Sequence, residues 1–119
     1  MESQAISRIK FGSYCPLIID CGGNTEVLEV TAPDIKAPMS ARISLTANLL
    51  APTRHYPSIE VYINQERRKG WQIWMINPSD LSARFAVNAG DEITLQVEGV
   101  TYVGVNISDV CVEFGWRAK

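Results

Sequence analysis

The chain has 119 residues, 46% hydrophobic and 20% charged, with 11 basic and 13 acidic side chains for a net charge of −2. A chain of this length forms one domain and buries about two-thirds of its surface, enough for a core without disulfides or a structural metal. Its mild acidity argues against nucleic acid as a partner, its hydrophobic content excludes disorder, and no apolar run approaches the ~20 residues of a membrane helix.

Residues 1–24 read as an N-terminal arm or extended segment, followed by a single domain over 25–119. The opening Met1 to Lys10 lacks the basic start and apolar stretch of a secretory signal, so folding in a cytosol is expected. Ile6, Ile9 and Phe11 then alternate with Ser7, Arg8 and Lys10, a pattern suited to a strand or to contact with a partner. Val27 to Thr31 is a short strand. Ala41, Ile43, Leu45, Ala47 and Leu49 share one face of the next, with Arg42, Ser44, Thr46 and Asn48 on the other. Ile59, Val61 and Ile63 repeat the alternation, as do Trp71, Ile73 and Met75.

Gly70 closes the polar stretch Glu66-Arg67-Arg68-Lys69, so residues 59–65 and 70–76 are predicted to pair as a hairpin with those charges at its tip. That pairing turns Val61, Ile63, Ile73 and Met75 inward and sets Tyr62 across from Trp74, with Ile76 beside them. Further strands follow at Leu81 to Val87, Ile93 to Val97, Val103 to Ile107 and Val110 to Trp116. The turns Asn77-Pro78-Ser79-Asp80 and Asn88-Ala89-Gly90-Asp91 separate them, while Pro33, Pro38, Pro52 and Pro57 confine the extended segments.

About eight strands with one apolar face each must bury those faces in two packed sheets or a closed barrel. The expected fold is all-β, a jelly-roll-like antiparallel β-sandwich. An immunoglobulin-like sandwich is the alternative, without its Cys…Trp…Cys spacing.

No catalytic constellation stands out. Three cysteines (Cys15, Cys21, Cys111) and the lone His55 supply neither the number nor the spacing of a zinc site. Free thiols are expected, with a Cys15–Cys21 bridge as the alternative. His55 lies in a loop, and Gly22-Gly23 reads as a turn. Asp20, Asn24 and Glu26 lack the ligand count of a calcium loop, and Asp91-Glu92 point to opposite faces of a strand. Nucleophile-elbow, phosphate-loop and dinucleotide fingerprints are absent. A non-enzyme without cofactor or metal is expected.

The outward residues point to contact instead. The candidate interface comprises Ile6, Ile9, Phe11, Tyr62, Trp74 and Ile76 with the basic Arg67, Arg68 and Lys69. Between Asp80 and Glu113 the only base is Arg84, against Asp80, Asp91, Glu92, Glu98, Asp109 and Glu113. A basic tip and an acidic flank suit contacts between copies of the chain.

Asn88-Ala89-Gly90-Asp91-Glu92-Ile93-Thr94-Leu95-Gln96-Val97 resembles a strand of the trimeric jelly rolls of complement C1q and tumour necrosis factor. Val112-Glu113-Phe114-Gly115-Trp116 resembles their closing strand. The organisation as a whole is similar to jelly-roll virion proteins of bacteriophages, of the capsid decoration (cement) type. That resemblance implies a structural role in a virion, as a homo-oligomer with a trimer favoured, against a major capsid or other virion protein. The alternative is a receptor- or carbohydrate-binding module at a fibre or tail tip, with Tyr62 and Trp74 as a stacking platform.

Overall fold

A computed structural model describes residues 6–13, 17–19, 24–99 and 103–117, with the side chains of residues 9–10, 24–99 and 103–117. Period-two alternation builds the strands β1 (Ile6–Ser13), β2 (Leu17–Ile19), β3 (Thr25–Thr31), β4 (Met39–Leu49), β5 (Ser58–Ile63), β6 (Glu66–Gln72), β7 (Ser79–Val87), β8 (Glu92–Glu98) and β9 (Val105–Arg117). None of the described residues is helical.

The strands divide into two antiparallel sheets, one ordered β1-β9-β4-β7 with β2 also on β9, the other ordered β3-β8-β5-β6. Successive strands cross repeatedly between the sheets, the double Greek key of a jelly roll. The expected jelly-roll-like sandwich is therefore the fold. Residues 6–13 and 17–19, within the segment read as an arm, both lie antiparallel along β9. Cys15, Cys21, Asp20 and Gly22-Gly23, and the side chains of Ile6 and Phe11, lie outside the described residues.

Between the sheets, Ala41, Ile43, Leu45, Ala47 and Leu49 of β4 meet Ile59, Val61 and Ile63 of β5 and Ile93, Leu95 and Val97 of β8 in one core. Phe114, Ile43, Leu49 and Ile59 are fully enclosed, each worth about 1.5–3 kcal/mol of burial.

The strands expected at Val103 to Ile107 and Val110 to Trp116 join as the single strand β9. Ser44 pairs with Cys111 and Thr46 with Ser108, so one residue of β4 opposes two of β9. Asp109 takes the positive φ of 53° at that bulge. The extra residue moves the buried set from odd to even positions, from Val105 and Ile107 to Val110, Val112 and Phe114.

The hairpin departs from its expected form. Ile63 pairs with Glu66, leaving Asn64 and Gln65 as a two-residue turn with φ of 51° and 68°. Positive φ at both central residues is what a type I′ turn requires. Glu66 to Lys69 consequently belong to strand β6 and not to a tip, and Gly70 lies opposite Glu60. A bulge at Arg68 shifts the register further, so Tyr62 faces Arg67 and not Trp74. Ile73 is buried as expected, but Met75 is exposed beyond the strand.

Candidate functional site: the loop end and two charged sheet faces

Because strands alternate in direction, the segments after β4, β6 and β8 gather at one end of the sandwich. Backbone hydrogen bonds tie them together there: Leu49 N donates to Met75 O (2.8 Å), Leu50 N to Gly104 O (3.0 Å) and Ile73 N to Pro57 O (2.8 Å). Leu50, Tyr56, Trp74, Met75 and Ile76 are the large apolar side chains exposed among the described residues, and all five belong to two of these segments. Trp74 is 61% exposed. Exposed large apolar side chains collected at one end of a domain mark an interaction site more often than a solvated surface.

At the opposite end polar side chains tie two turns together. Asn64 Nδ2 donates to Asp91 Oδ1 (3.0 Å), Asn64 Oδ1 accepts from Glu92 N (2.9 Å), and Asp91 Oδ2 accepts from Asn88 N (2.8 Å). Asp91 thus fixes the expected turn at residues 88–91 to the β5–β6 turn. His55 sits in the exposed segment between β4 and β5, with its backbone N–H donating to Thr53 Oγ1 (3.2 Å).

On the outer face of the four-stranded sheet, Tyr62 is half-buried and donates its hydroxyl to Glu98 Oε2, which also accepts from Gln96 Nε2 (2.6 Å). The hydrogen bond to Glu98, followed by burial and the charge of that carboxylate, raises the Tyr62 pKa above its ordinary value. Beside it the carboxylate of Glu60 is buried, accepting from Ser58 Oγ (3.1 Å) and Arg67 Nε (3.0 Å). Glu60 lies over Gly70, where a Cβ would overlap its carboxylate. Arg68 stands 5.7 Å from the centre of the Phe85 ring, and Lys69 6.0 Å from that of Trp71.

These placements change the expected interface. Arg67, Arg68 and Lys69 do not form a basic tip; one is ion-paired and two cover aromatic rings along the exposed edge strand β6. Tyr62 and Trp74 do not form a stacking platform, since one is held in the sheet and the other projects from the loop end. Ile9 is half-buried in β1 opposite Phe114. Trp74 and Ile76 remain exposed, joined by Leu50, Tyr56 and Met75, which the sequence reasoning missed. For Leu50 and Met75 the signal was present: Leu49-Leu50 and Trp74-Met75-Ile76 are consecutive apolar residues, and alternation can bury only every second one.

The outer face of the five-stranded sheet carries a different pattern. Arg84 of β7 faces Arg42 of β4, which faces Glu113 of β9, which faces Lys10 of β1. The rows on either side are small: Ala86, Ser40 and Gly115 on one, Ser82, Ser44 and Cys111 on the other. A hollow of about 510 Å³ adjoins the charged row on the first side and includes Arg117 in its lining; one of about 350 Å³ adjoins it on the second. Among the described residues no group of three His, Cys, Asp or Glu side chains is arranged to hold a metal.

No family model and no curated protein matches this chain. Several solved structures share its fold. The first carbohydrate-binding module of family 36 from a multidomain xylanase of the Trinervitermes trinervoides hindgut metagenome is 13% identical with a TM-score of 0.56, over 93% of this chain and 96% of its own. A protein of the disulfide-linked pili that form Bacillus endospore appendages is 14% identical with a TM-score of 0.53, over 99% and 93%. In the structure of infectious bursal disease virus, Gx strain, a chain 8% identical gives a TM-score of 0.52, over 98% of this chain and 33% of that one. At such identities the likeness is one of fold, shared by viral, pilus and carbohydrate-binding proteins.

Proposed function

We propose that this chain is a non-catalytic structural protein of a virion, of the capsid-decoration type, working as an oligomer whose contacts are made by the loop end. The observation that supports this most is the gathering of Leu50, Tyr56, Trp74, Met75 and Ile76 at that end, while polar hydrogen bonds tie the turns at the opposite end. Aromatic side chains and methionine at the centre of a patch are the usual anchors of protein–protein contacts. A jelly roll suits the role because its edges and ends can meet neighbours without altering the core. A trimer is the favoured assembly, and a major capsid or other virion protein is the partner.

The test is light scattering on the purified chain and on the double variant W74S/I76S. The unaltered chain should have the mass of three copies across a wide concentration range, and the variant should fall to one copy with unchanged circular dichroism. A monomer at every concentration, or a variant that assembles as before, would overturn the reading. Electron microscopy of particles mixed with the chain then identifies the partner surface.

A further inference from the structure

We propose that the outer face of the five-stranded sheet is a binding site for an acidic sugar, with the carboxylate of a hexuronic acid held by Arg42 and Arg84. This goes beyond the assembly role, because the face is distinct from the loop end.

The argument begins with the register. Arg42 and Arg84 are direct cross-strand partners, which places their Cβ atoms about 4.5–5.5 Å apart, and like charges so placed oppose one another. Among the described residues neither guanidinium has an ion pair or a side-chain hydrogen bond. Both are exposed. An anion between them removes the repulsion and accepts hydrogen bonds from both planar forks, a geometry arginine offers and lysine does not.

The surroundings favour an acid over a neutral ligand on one side of the row. The larger hollow is lined by Arg42, Arg84 and Arg117, with Glu113 as its single carboxylate and Pro38, Met39 and Trp116 as its larger apolar residues. The smaller hollow carries Asp80 and Asp109 together with Ser44, Thr46 and Ser82. Thr46 Oγ1 donates to Asp80 Oδ1 (2.8 Å). Carboxylates and hydroxyls there suit the hydroxyl groups of a neighbouring sugar ring.

The choice of a sugar over an acidic peptide rests on what the floor lacks. Its rows are Ser40, Gly115, Ala86, Ser44, Ser82 and Cys111, and the large apolar residues of the larger hollow, Met39 and Trp116, are buried and half-buried, unlike the exposed anchors that collect at the loop end. A protein partner draws its affinity from exposed aromatic anchors together with arginine, and this face has the arginine without the exposed aromatics. A hydroxylated, charged ligand draws it from polar contacts and arginine, which this face supplies.

The experiment is calorimetric titration of the whole chain with four probes: an oligomer of a hexuronic acid, its carboxyl-reduced counterpart, sodium sulfate and a polyglutamate peptide. The oligouronate should bind, and the carboxyl-reduced form should bind ~10-fold more weakly or worse. The double variant R42S/R84S should lose the same factor while its thermal unfolding temperature does not fall, since the mutual repulsion goes with the two charges. The variant R42K/R84K, with charge kept and the fork lost, should fall between. Absence of oligouronate binding, or binding indifferent to R42S/R84S, would overturn the proposal. Polyglutamate binding as tightly as the oligouronate, or sulfate displacing it at equal concentration, would overturn the sugar assignment.

Discussion

Glu60 is the one charged residue buried among those described, at 8% exposure, and it remains there because each oxygen has a donor. A carboxylate removed from water without such partners costs more than the surrounding sheet can supply. Gly70 makes room for it, so a glycine that reads as a turn signal in the sequence is instead a hollow for a neighbouring side chain. Tyr62, on the same face, ties the sheet to Glu98 and carries a pH signature. Its pKa is raised in the folded state above the ordinary 10.0, first by the hydrogen bond to Glu98 and then by burial. Between the two values the folded chain keeps a proton that the unfolded chain has lost. The stabilisation is therefore complete below pH 10.0 and disappears as the pH climbs through that value toward the higher one. Urea unfolding of the unaltered chain and of Tyr62→Phe across this range should show a shallower alkaline decline in the variant. Parallel declines would mean that the Tyr62–Glu98 hydrogen bond makes no contribution.

At the scale of the element, the turn between β5 and β6 uses Asn64 and Gln65, both at positive φ. Asparagine tolerates this conformation; glutamine has no local hydrogen bond to favour it and meets the steric penalty of a Cβ. Gln65→Gly should raise stability by about 0.5–1 kcal/mol, the relief of that penalty less the added freedom of glycine in the unfolded chain. A chemical denaturation midpoint that stays put or falls would show the turn to be differently built. The same turn explains why the hairpin could not be placed from sequence. Glu66-Arg67-Arg68-Lys69 has the polarity of a loop tip, yet it is an edge strand, and charged side chains are how such strands resist pairing with other chains. By contrast β4 was legible from Ala41 to Leu49, all but its first two residues, because both its neighbours and the opposing sheet enforce alternation. In β9 the change of parity between Ile107 and Val110 was visible, but its meaning as one bulged strand required knowing that β4 runs past both halves. The candidate site was less readable than the fold. That Arg42 meets Arg84 depends on a pairing between strands some forty residues apart, and no local pattern encodes it.

Across the whole molecule, charge and apolar surface are sorted by direction. The outer side of the four-stranded sheet holds Glu60, Glu92 and Glu98 with Arg67, the five-stranded sheet presents the arginine row, and the loop end carries the exposed large apolar side chains. The two proposed contacts therefore answer differently to salt. Burial of Trp74, Ile76 and Leu50 against another copy is hydrophobic, and raising ionic strength does not weaken it. Capture of an acid by exposed guanidinium groups is screened over about 10 Å at 0.1 M and about 3 Å at 1 M. Raising sodium chloride from about 0.05 M to about 0.5 M should leave the light-scattering mass of the oligomer in place while oligouronate affinity falls steeply. An oligomer that dissociates over this range would move the self-contact from the apolar end to charged faces. An affinity that holds steady would remove the arginine row as the binding site, since a carboxylate between exposed guanidinium groups has no other strong source of attraction.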